Sequence, residues 1–121
     1  MTDRISAEDY QKLLKDQKTN KYGAKKTVVD GITFDSKREA ERYGELKLLR
    51  LAGKIADLDL QVPFPLTVNG VVIGKWVADF VYWDTEEGKW IYEDCKGYRT
   101  DLYKRTKKHV EAQYDIKILE T

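Results

Sequence analysis

The sequence has little of the chemistry that most enzymes use for nucleophilic attack or for binding zinc. Its 121 residues include one cysteine, Cys95, and one histidine, His109. A single cysteine excludes an internal disulfide and a zinc site built from several cysteines, and one histidine leaves too few ligands for the usual zinc site. Carboxylates and lysines remain for catalysis, and carboxylates suit a hard cation such as magnesium.

Long apolar runs are also missing. No stretch approaches the roughly 18 apolar residues of a membrane span, and the first residues, MTDRISAEDYQ, lack the apolar core of a secretory signal. We therefore expect a soluble, cytoplasmic protein with no membrane partner. The length predicts one compact domain, residues 22–121, preceded by a short helix and a flexible arm in residues 1–21.

Charge is balanced overall but unevenly distributed. The net charge is +1, which by itself says nothing about nucleic acid. Segment 79–94 is acidic, whereas segments 12–26 and 96–108 are rich in lysine and arginine. Carboxylates for a cation beside basic segments for phosphates are typical of a metal-dependent phosphodiesterase. The alternative is ordinary charge mixing on a solvated surface, and charge alone favours that alternative.

The order of predicted elements indicates an α/β (α+β) domain with a mixed central sheet flanked by helices. Asp30-Gly31 lies between β-branched runs and predicts a hairpin turn. A helix is expected from Ser36 to about Ala52, before Gly53. The other predicted elements are a helix from Ser6 to about Lys18, a proline-containing edge strand or loop over 58–66, strands in VVIGKWVADFVYW and KWIYEDCKG, a basic helix over about 100–112 and a last strand, DIKIL.

Two aspartates are predicted to meet across the hairpin around DTEEG. If the turn centres near Glu86, Asp79 lies opposite Asp94 or one position from it, with Cβ atoms about 4.5–5.5 Å apart. Two such carboxylates destabilise a sheet unless something, most simply a divalent cation, neutralises them. Lys96 follows Asp94 by two residues, so on a strand both side chains point to one face. These three residues form a candidate site in which a metal activates water and the lysine stabilises developing charge.

The same residues resemble the PD-(D/E)XK nuclease motif, with Asp79 followed after a hairpin by Asp94-Cys95-Lys96. The segments SKREAERYGELKLL, QVPFPL and YEDCKGYRTDLYKRTKKHVE are similar to the first helix, the extended segment and the catalytic strand with its basic helix in such nucleases. The chain looks like a small phage or prophage family of unknown function placed in that superfamily. It is more distantly similar to Holliday junction resolvases. Ala78 stands where the superfamily name has proline, at a variable position.

The resemblance implies a restriction-endonuclease-like core and an endonuclease that uses Mg²⁺ or Mn²⁺ to cleave DNA, chiefly branched recombination intermediates, in phage DNA metabolism. It also implies a homodimer in the cytoplasm of a bacterial host, because junction resolution needs two symmetric cuts. Glu39 would join Asp79, Asp94 and Lys96 as a catalytic residue. The implied metal ligands are Asp79, Asp94, Glu39 and the backbone carbonyl of Cys95. The residues predicted to bind DNA are Gln61, Arg99, Lys104, Arg105, Lys107 and Lys108.

Several of these assignments have alternatives. Glu39 can instead complete a capping box with Ser36, and Gln61 can be a solvent-exposed side chain of an edge strand. The basic residues can form a solvated helix face, and Glu93 gains a role if its strand bulges. Two other functions stay open: a non-catalytic DNA-binding accessory protein with the nuclease fold, and an RNA-directed nuclease.

Overall fold

The computed structural model describes residues 26–95 and 99–121. The predicted helix over residues 6–18 and the predicted catalytic residue Lys96 lie outside the described residues. In the part described, no helix is both long and apolar enough to cross a membrane. The elements are strands β1 (Thr27–Val29) and β2 (Ile32–Phe34), helix α1 (Lys37–Leu51), strands β3 (Ile55–Val68), β4 (Val71–Asp84) and β5 (Lys89–Asp94), helix α2 (Asp101–Tyr114) and strand β6 (Ile118–Glu120).

Four of these strands form a mixed sheet in the order β3-β4-β5-β6, and β1 and β2 form a separate hairpin. The strands β3, β4 and β5 are antiparallel to their neighbours, whereas β6 runs parallel to β5. A parallel neighbour needs a crossover connection, and α2 lies in that connection. The predicted α+β class, with a mixed sheet flanked by helices, is confirmed.

Two hairpin turns have positive φ at both central residues, and the one at Asp30-Gly31 was predicted from the sequence. Asp30 and Gly31 have φ values of 54° and 75°, and Asn69 and Gly70 have φ values of 49° and 79°. Positive φ at both central residues produces the tight turn that matches the twist of antiparallel strands. The first turn joins β1 to β2, and the second joins the two longest strands, β3 and β4.

The sheet buries one core on each face. Phe80 and Tyr82 of β4 belong to one core, and Val81 between them belongs to the other, because successive side chains on a strand point to opposite faces. We call these the α1-side core and the α2-side core. The α1-side core contains Ile32, Phe34, Ala40, Tyr43, Leu46, Ile55, Phe80, Tyr82 and Cys95. The α2-side core contains Leu66, Trp76, Ala78, Val81, Val110 and Ile118.

The edge strand β3 is covered by side chains of α2, and its two prolines agree with the predicted edge position. Gln113 Nε2 and the Tyr114 hydroxyl donate to the Pro65 carbonyl at 3.2 and 2.6 Å. The Thr67 N–H donates to Gln113 Oε1 at 2.9 Å, and His109 Nε2 lies 3.0 Å from the Thr67 carbonyl. These bonds satisfy backbone groups at the edge of the sheet and fix α2 beside the end of the β3–β4 hairpin.

Candidate active site

Among the residues that the structure describes, four acidic side chains are buried, and three of them are predicted site residues. Glu39, Asp79, Glu93 and Asp94 expose 9%, 8%, 0% and 1% of their surface. Charged groups are almost never this buried unless they are paired or have a function. Each of the four therefore needs a physical account of its own.

The register between β4 and β5 brings Asp79 to Asp94. The paired part of the two strands ends with Phe80 opposite Glu93, so Asp79 and Asp94 are the next residues at that end, in agreement with the predicted register. Asp79 Oδ2 accepts the backbone N–H of Cys95 at 2.7 Å. The two aspartates therefore lie together where β5 ends.

The alternation of side chains along β4 reverses at Asp79. Trp76 and Ala78 belong to the α2-side core, whereas Phe80 and Tyr82 belong to the α1-side core. All four have even numbers, so strict alternation would put them on one face. The reversal falls between Ala78 and Phe80 and leaves Asp79 at the break, where irregular strands commonly redirect a side chain.

The neighbouring strand β3 reverses at the same level. Leu60 packs against the α1-side core and Val62 against the α2-side core, and between them Gln61 has a positive φ of 53°. That conformation is uncommon for a residue other than glycine and occurs often at functional sites. Gln61 Nε2 donates to Asp79 Oδ1 at 3.3 Å. Gln61, which is partly buried on the edge strand β3, is therefore a direct neighbour of Asp79.

Asp94 is held on the α2 side of the sheet by a tryptophan. The indole N–H of Trp76 donates to Asp94 Oδ2 at 2.9 Å in a buried hydrogen bond. The pKa of Tyr103, on α2, is raised first by burial and then by the negative charge of Asp94. The Asp94 carboxylate is therefore close enough to α2 for its charge to act on Tyr103.

The pKa of the Cys95 thiol is affected by several of the buried acidic groups. The pKa of this thiol is raised to about 11, first by burial and then by the charges of Asp79, Glu39 and Glu93, against the lowering effect of a hydrogen bond with Thr121. Its Sγ lies 3.0 Å from the Thr121 hydroxyl. The charges of three carboxylates, including Glu39, therefore act on a single buried thiol.

Glu39 sits in the first turn of α1, where the capping box was predicted. Ser36 is the N-cap, and its Oγ accepts the Glu39 N–H at 3.1 Å. An acidic residue in this turn also favours the helix dipole. This hydrogen bond uses the backbone of Glu39, and the Glu39 carboxylate is itself buried.

Glu93 forms a network that the sequence analysis missed. Arg42 donates to it twice, from Nε to Oε1 at 2.8 Å and from Nη2 to Oε2 at 2.7 Å, and the Tyr82 hydroxyl donates to Oε2 as well. The pKa of Arg42 is raised chiefly by its hydrogen bond with Glu93. The spacing of Glu39, Arg42 and Leu46 places them on one face of the helix, so the sequence could have indicated that Arg42 points toward the core. Both oxygens of the Glu93 carboxylate are therefore hydrogen-bonded within the chain.

The residues predicted to bind DNA fall into two groups. Arg99 Nε lies 2.9 Å from Glu120 Oε2 and Lys107 Nζ lies 3.5 Å from Glu120 Oε1, so both are engaged within the chain. Lys104, Arg105 and Lys108 are exposed on α2. No ion pair joins those three to another residue of the described ranges.

The donor atoms at Asp79 and Asp94 are carboxylate oxygens, which suit magnesium or manganese. Within residues 26–95 and 99–121, no three His, Cys, Asp or Glu side chains are grouped to hold a metal ion. Magnesium does not need such a group, since it binds through one or two carboxylates and completes its shell with water and substrate phosphate. The two aspartates fit that pattern, with the Cys95 carbonyl and Glu39 as further oxygen donors predicted from the sequence.

One family matches most of the chain. Residues 19–119 match the family described as "Protein of unknown function (DUF1064)", and the chain belongs to that family. No curated protein and no solved structure matches the chain.

Proposed function

We propose that this member of the DUF1064 family is a metal-dependent endonuclease that hydrolyses phosphodiester bonds in DNA. The observation that carries the proposal is the pair of buried aspartates, Asp79 and Asp94, which meet at the end of β5 where two strands reverse their alternation. Burying two carboxylates costs stability unless they are paired or coordinate a metal, so such a pair indicates a functional site. The resemblance to PD-(D/E)XK nucleases indicates the function of that site.

In this proposal the residues divide the chemistry among themselves. Asp79 and Asp94 would hold Mg²⁺ or Mn²⁺, with the Cys95 carbonyl and Glu39 beside them. The bound ion would lower the pKa of the attacking water and would stabilise negative charge at the phosphate. Lys96, two residues past Asp94, is assigned by spacing to stabilise the developing charge. Gln61 and Trp76 hold the aspartates in place through their hydrogen bonds.

The substrate follows from the basic face of α2 and from the resemblance. Lys104, Arg105 and Lys108 present three positive charges to solvent, and such side chains bind phosphates without reading sequence. The similarity to junction resolvases points to branched recombination intermediates. Two symmetric cuts then require two copies of the chain, so we include a homodimer in the proposal.

A cleavage assay with matched variants tests the proposal. Labelled four-way junction, flap, linear duplex and RNA are incubated with the protein in Mg²⁺, Mn²⁺ or EDTA. We expect metal-dependent cutting of the junction, and about a 1000-fold slower rate in Asp79→Asn, Asp94→Asn and Lys96→Ala. Asp57→Asn is the control, since Asp57 is exposed and its φ of 53° suits asparagine.

Each outcome decides something about the proposal. Full activity in Asp94→Asn overturns the mechanism, and equal cutting in EDTA overturns the role of the metal. DNA binding without cleavage of any substrate identifies an accessory protein, and cutting of RNA alone identifies an RNA-directed nuclease. Sedimentation equilibrium with and without junction DNA tests the homodimer.

A further inference from the structure

The β3–β4 hairpin continues past the rest of the sheet and ends in exposed aliphatic residues. β5 pairs with β4 only over residues 80–84, so the far half of the hairpin extends beyond β5. The hairpin tip, residues 68–73, contains four exposed aliphatic side chains, and Leu102 of α2 is also exposed. Val68, Val71, Val72, Ile73 and Leu102 expose 48%, 63%, 64%, 59% and 71% of their surfaces. A concentration of this kind marks an interaction site more often than scattered single residues do.

A groove separates the hairpin tip from α2, and its rim is basic. The groove has a volume of about 340 Å³, and Ile73 and Leu102 line it together with Lys75, Arg105 and His109. His109 is fixed by its contact with the Thr67 carbonyl. Lys75 and Arg105 are exposed, and no ion pair connects them to another described residue. Aliphatic side chains between unpaired cations suit a partner with an apolar interior and an anionic surface.

We propose that the hairpin tip is a wedge that enters nucleic acid, with its aliphatic side chains against unstacked bases and with Lys75 and Arg105 on the flanking phosphates. Apolar side chains on a ribbon can part a base step, and adjacent cations offset the cost by binding the backbone. This proposal rests on the proposed function for the identity of the partner. It adds a second contact surface that is separate from the carboxylates.

A second copy of the chain is a poorer occupant of the same surface. The five exposed side chains offer an area on the order of 500 Å², below the ~800 Å² per partner of a stable interface. A two-fold contact through the hairpin tip would also bring Lys75 and Arg105 of both copies to one interface, where their charges repel. A polyanion removes that repulsion.

The length of β4 sets where the wedge acts. From Asp79 to Val72 the strand covers about 23 Å at roughly 3.3 Å per residue. The same length of duplex contains about seven base pairs at roughly 3.4 Å each. The wedge is therefore expected to open a base step about seven pairs from the cut, on one side only.

Fluorescence of 2-aminopurine tests this, because the base brightens when it is unstacked. Junction arms carry the base at successive positions on either side of the cut and are bound by Asp94→Asn protein, which leaves them intact. We expect brightening on one side, about seven pairs away. Val72→Thr with Ile73→Thr should abolish it and weaken binding about tenfold, and Lys75→Ala with Arg105→Ala should reduce the slope of log K against log salt by about 2.

Val28→Thr is the matched control, since Val28 is 62% exposed on the other hairpin, and it should leave brightening and affinity unchanged. Threonine keeps the β-branch, so the tip variant retains the strand preference of valine and isoleucine. Unchanged brightening in the tip variant overturns the wedge, while metal-dependent cutting by the wild type would still support the nuclease. Tip-dependent brightening without cutting supports the wedge and overturns the nuclease. A tip variant that only converts a dimer into a monomer overturns the wedge in favour of a chain–chain contact.

Discussion

Two adjacent buried carboxylates have different hydrogen-bond partners on the two faces of the sheet. Glu93 and Asp94 are consecutive and expose 0% and 1% of their surfaces. On the α1 side, Glu93 receives two hydrogen bonds from Arg42 and one from Tyr82. On the α2 side, Asp94 accepts a hydrogen bond from the indole N–H of Trp76, and Asp79 accepts one from the backbone N–H of the next residue, Cys95.

The two carboxylates differ in whether their hydrogen-bond partner carries a positive charge. A guanidinium matched to a carboxylate by two hydrogen bonds fixes α1 to β5 and leaves little capacity for a ligand. Trp76 instead donates to Asp94 from a neutral indole N–H, and in the proposed function a metal ion supplies the positive charge beside it. Burial alone does not distinguish the two, whereas the identity of the partners does.

Breaking the ion pair on the α1 side should have the largest effect. Arg42→Met leaves Glu93 buried without its cation, and we expect the free energy of unfolding to fall by about 3–5 kcal/mol. Urea denaturation followed by circular dichroism measures it. The double variant Arg42→Met, Glu93→Leu should recover much of the loss. A loss below 1 kcal/mol in Arg42→Met would show that the pair contributes little to stability.

Removing the charge on the α2 side should leave the fold and stop the chemistry. Asp94→Asn keeps an oxygen that can accept the Trp76 N–H, so we expect stability to change by less than about 1 kcal/mol. Cleavage should fall about 1000-fold, equivalent to about 4 kcal/mol. Glu93→Gln is the matched comparison, with a clear loss of stability and near-normal cleavage by the folded fraction. The same pattern in both variants would mean that the faces do not differ in role.

The indole hydrogen bond to Asp94 should have a moderate effect. Trp76→Phe removes the donor and also leaves a smaller ring in the α2-side core, so we expect stability to fall by about 1–3 kcal/mol. A positioning role predicts in addition that kcat falls about tenfold at constant KM and that the metal concentration for half-maximal activity rises. Phe64→Leu, which alters the aromatic contact with Trp76, controls for packing. Equal kcat in both variants would assign Trp76 to the core alone.

The basic residues of α2 should differ in their effect on DNA binding, because some are already paired within the chain. Lys104→Ala and Lys108→Ala should each weaken DNA binding severalfold and reduce the slope of log K against log salt by about 1. Lys107→Ala should change the slope less, because Lys107 is already paired with Glu120. Fluorescence anisotropy over a salt series measures both quantities. Equal slopes for all three variants would place Lys107 on the DNA as well.

The ion pairs of Glu120 should make the smallest contribution to stability. This contribution should depend on pH. Desolvation alone would raise the pKa of Glu120, but hydrogen bonds from Arg99 and Tyr103 and the charge of Lys107 hold it below the usual 4.5. A lowered pKa contributes stability above the unfolded value, and that contribution disappears as pH falls through the folded value. Glu120→Gln should therefore cost less than about 1 kcal/mol at pH 7 and nothing at the acid end. A cost independent of pH would mean that packing, not charge, is lost.

Much of the fold could be predicted because its signals are local. Asp30-Gly31 marks a turn whose backbone only a few residues adopt, Ser36 marks a helix start, and the hairpin register follows from the position of its turn. The meeting of Asp79 with Asp94 belongs to the same class of inference, because cross-strand neighbours in a hairpin follow from counting.

The rest could not be predicted, because the missing contacts join residues far apart in the chain. The sequence by itself determined the α+β class, the hairpins and the aspartate pair. Only the tertiary structure decided that Arg42 neutralises Glu93 and that Trp76 binds Asp94, since α1 and the far half of β4 reach β5 only after the sheet has formed. The reversal at Gln61 and Asp79 was hidden for a related reason. Ala78 and Phe80 both have even numbers, as on one face of a strand, and only their separation into the two cores shows that the face changes.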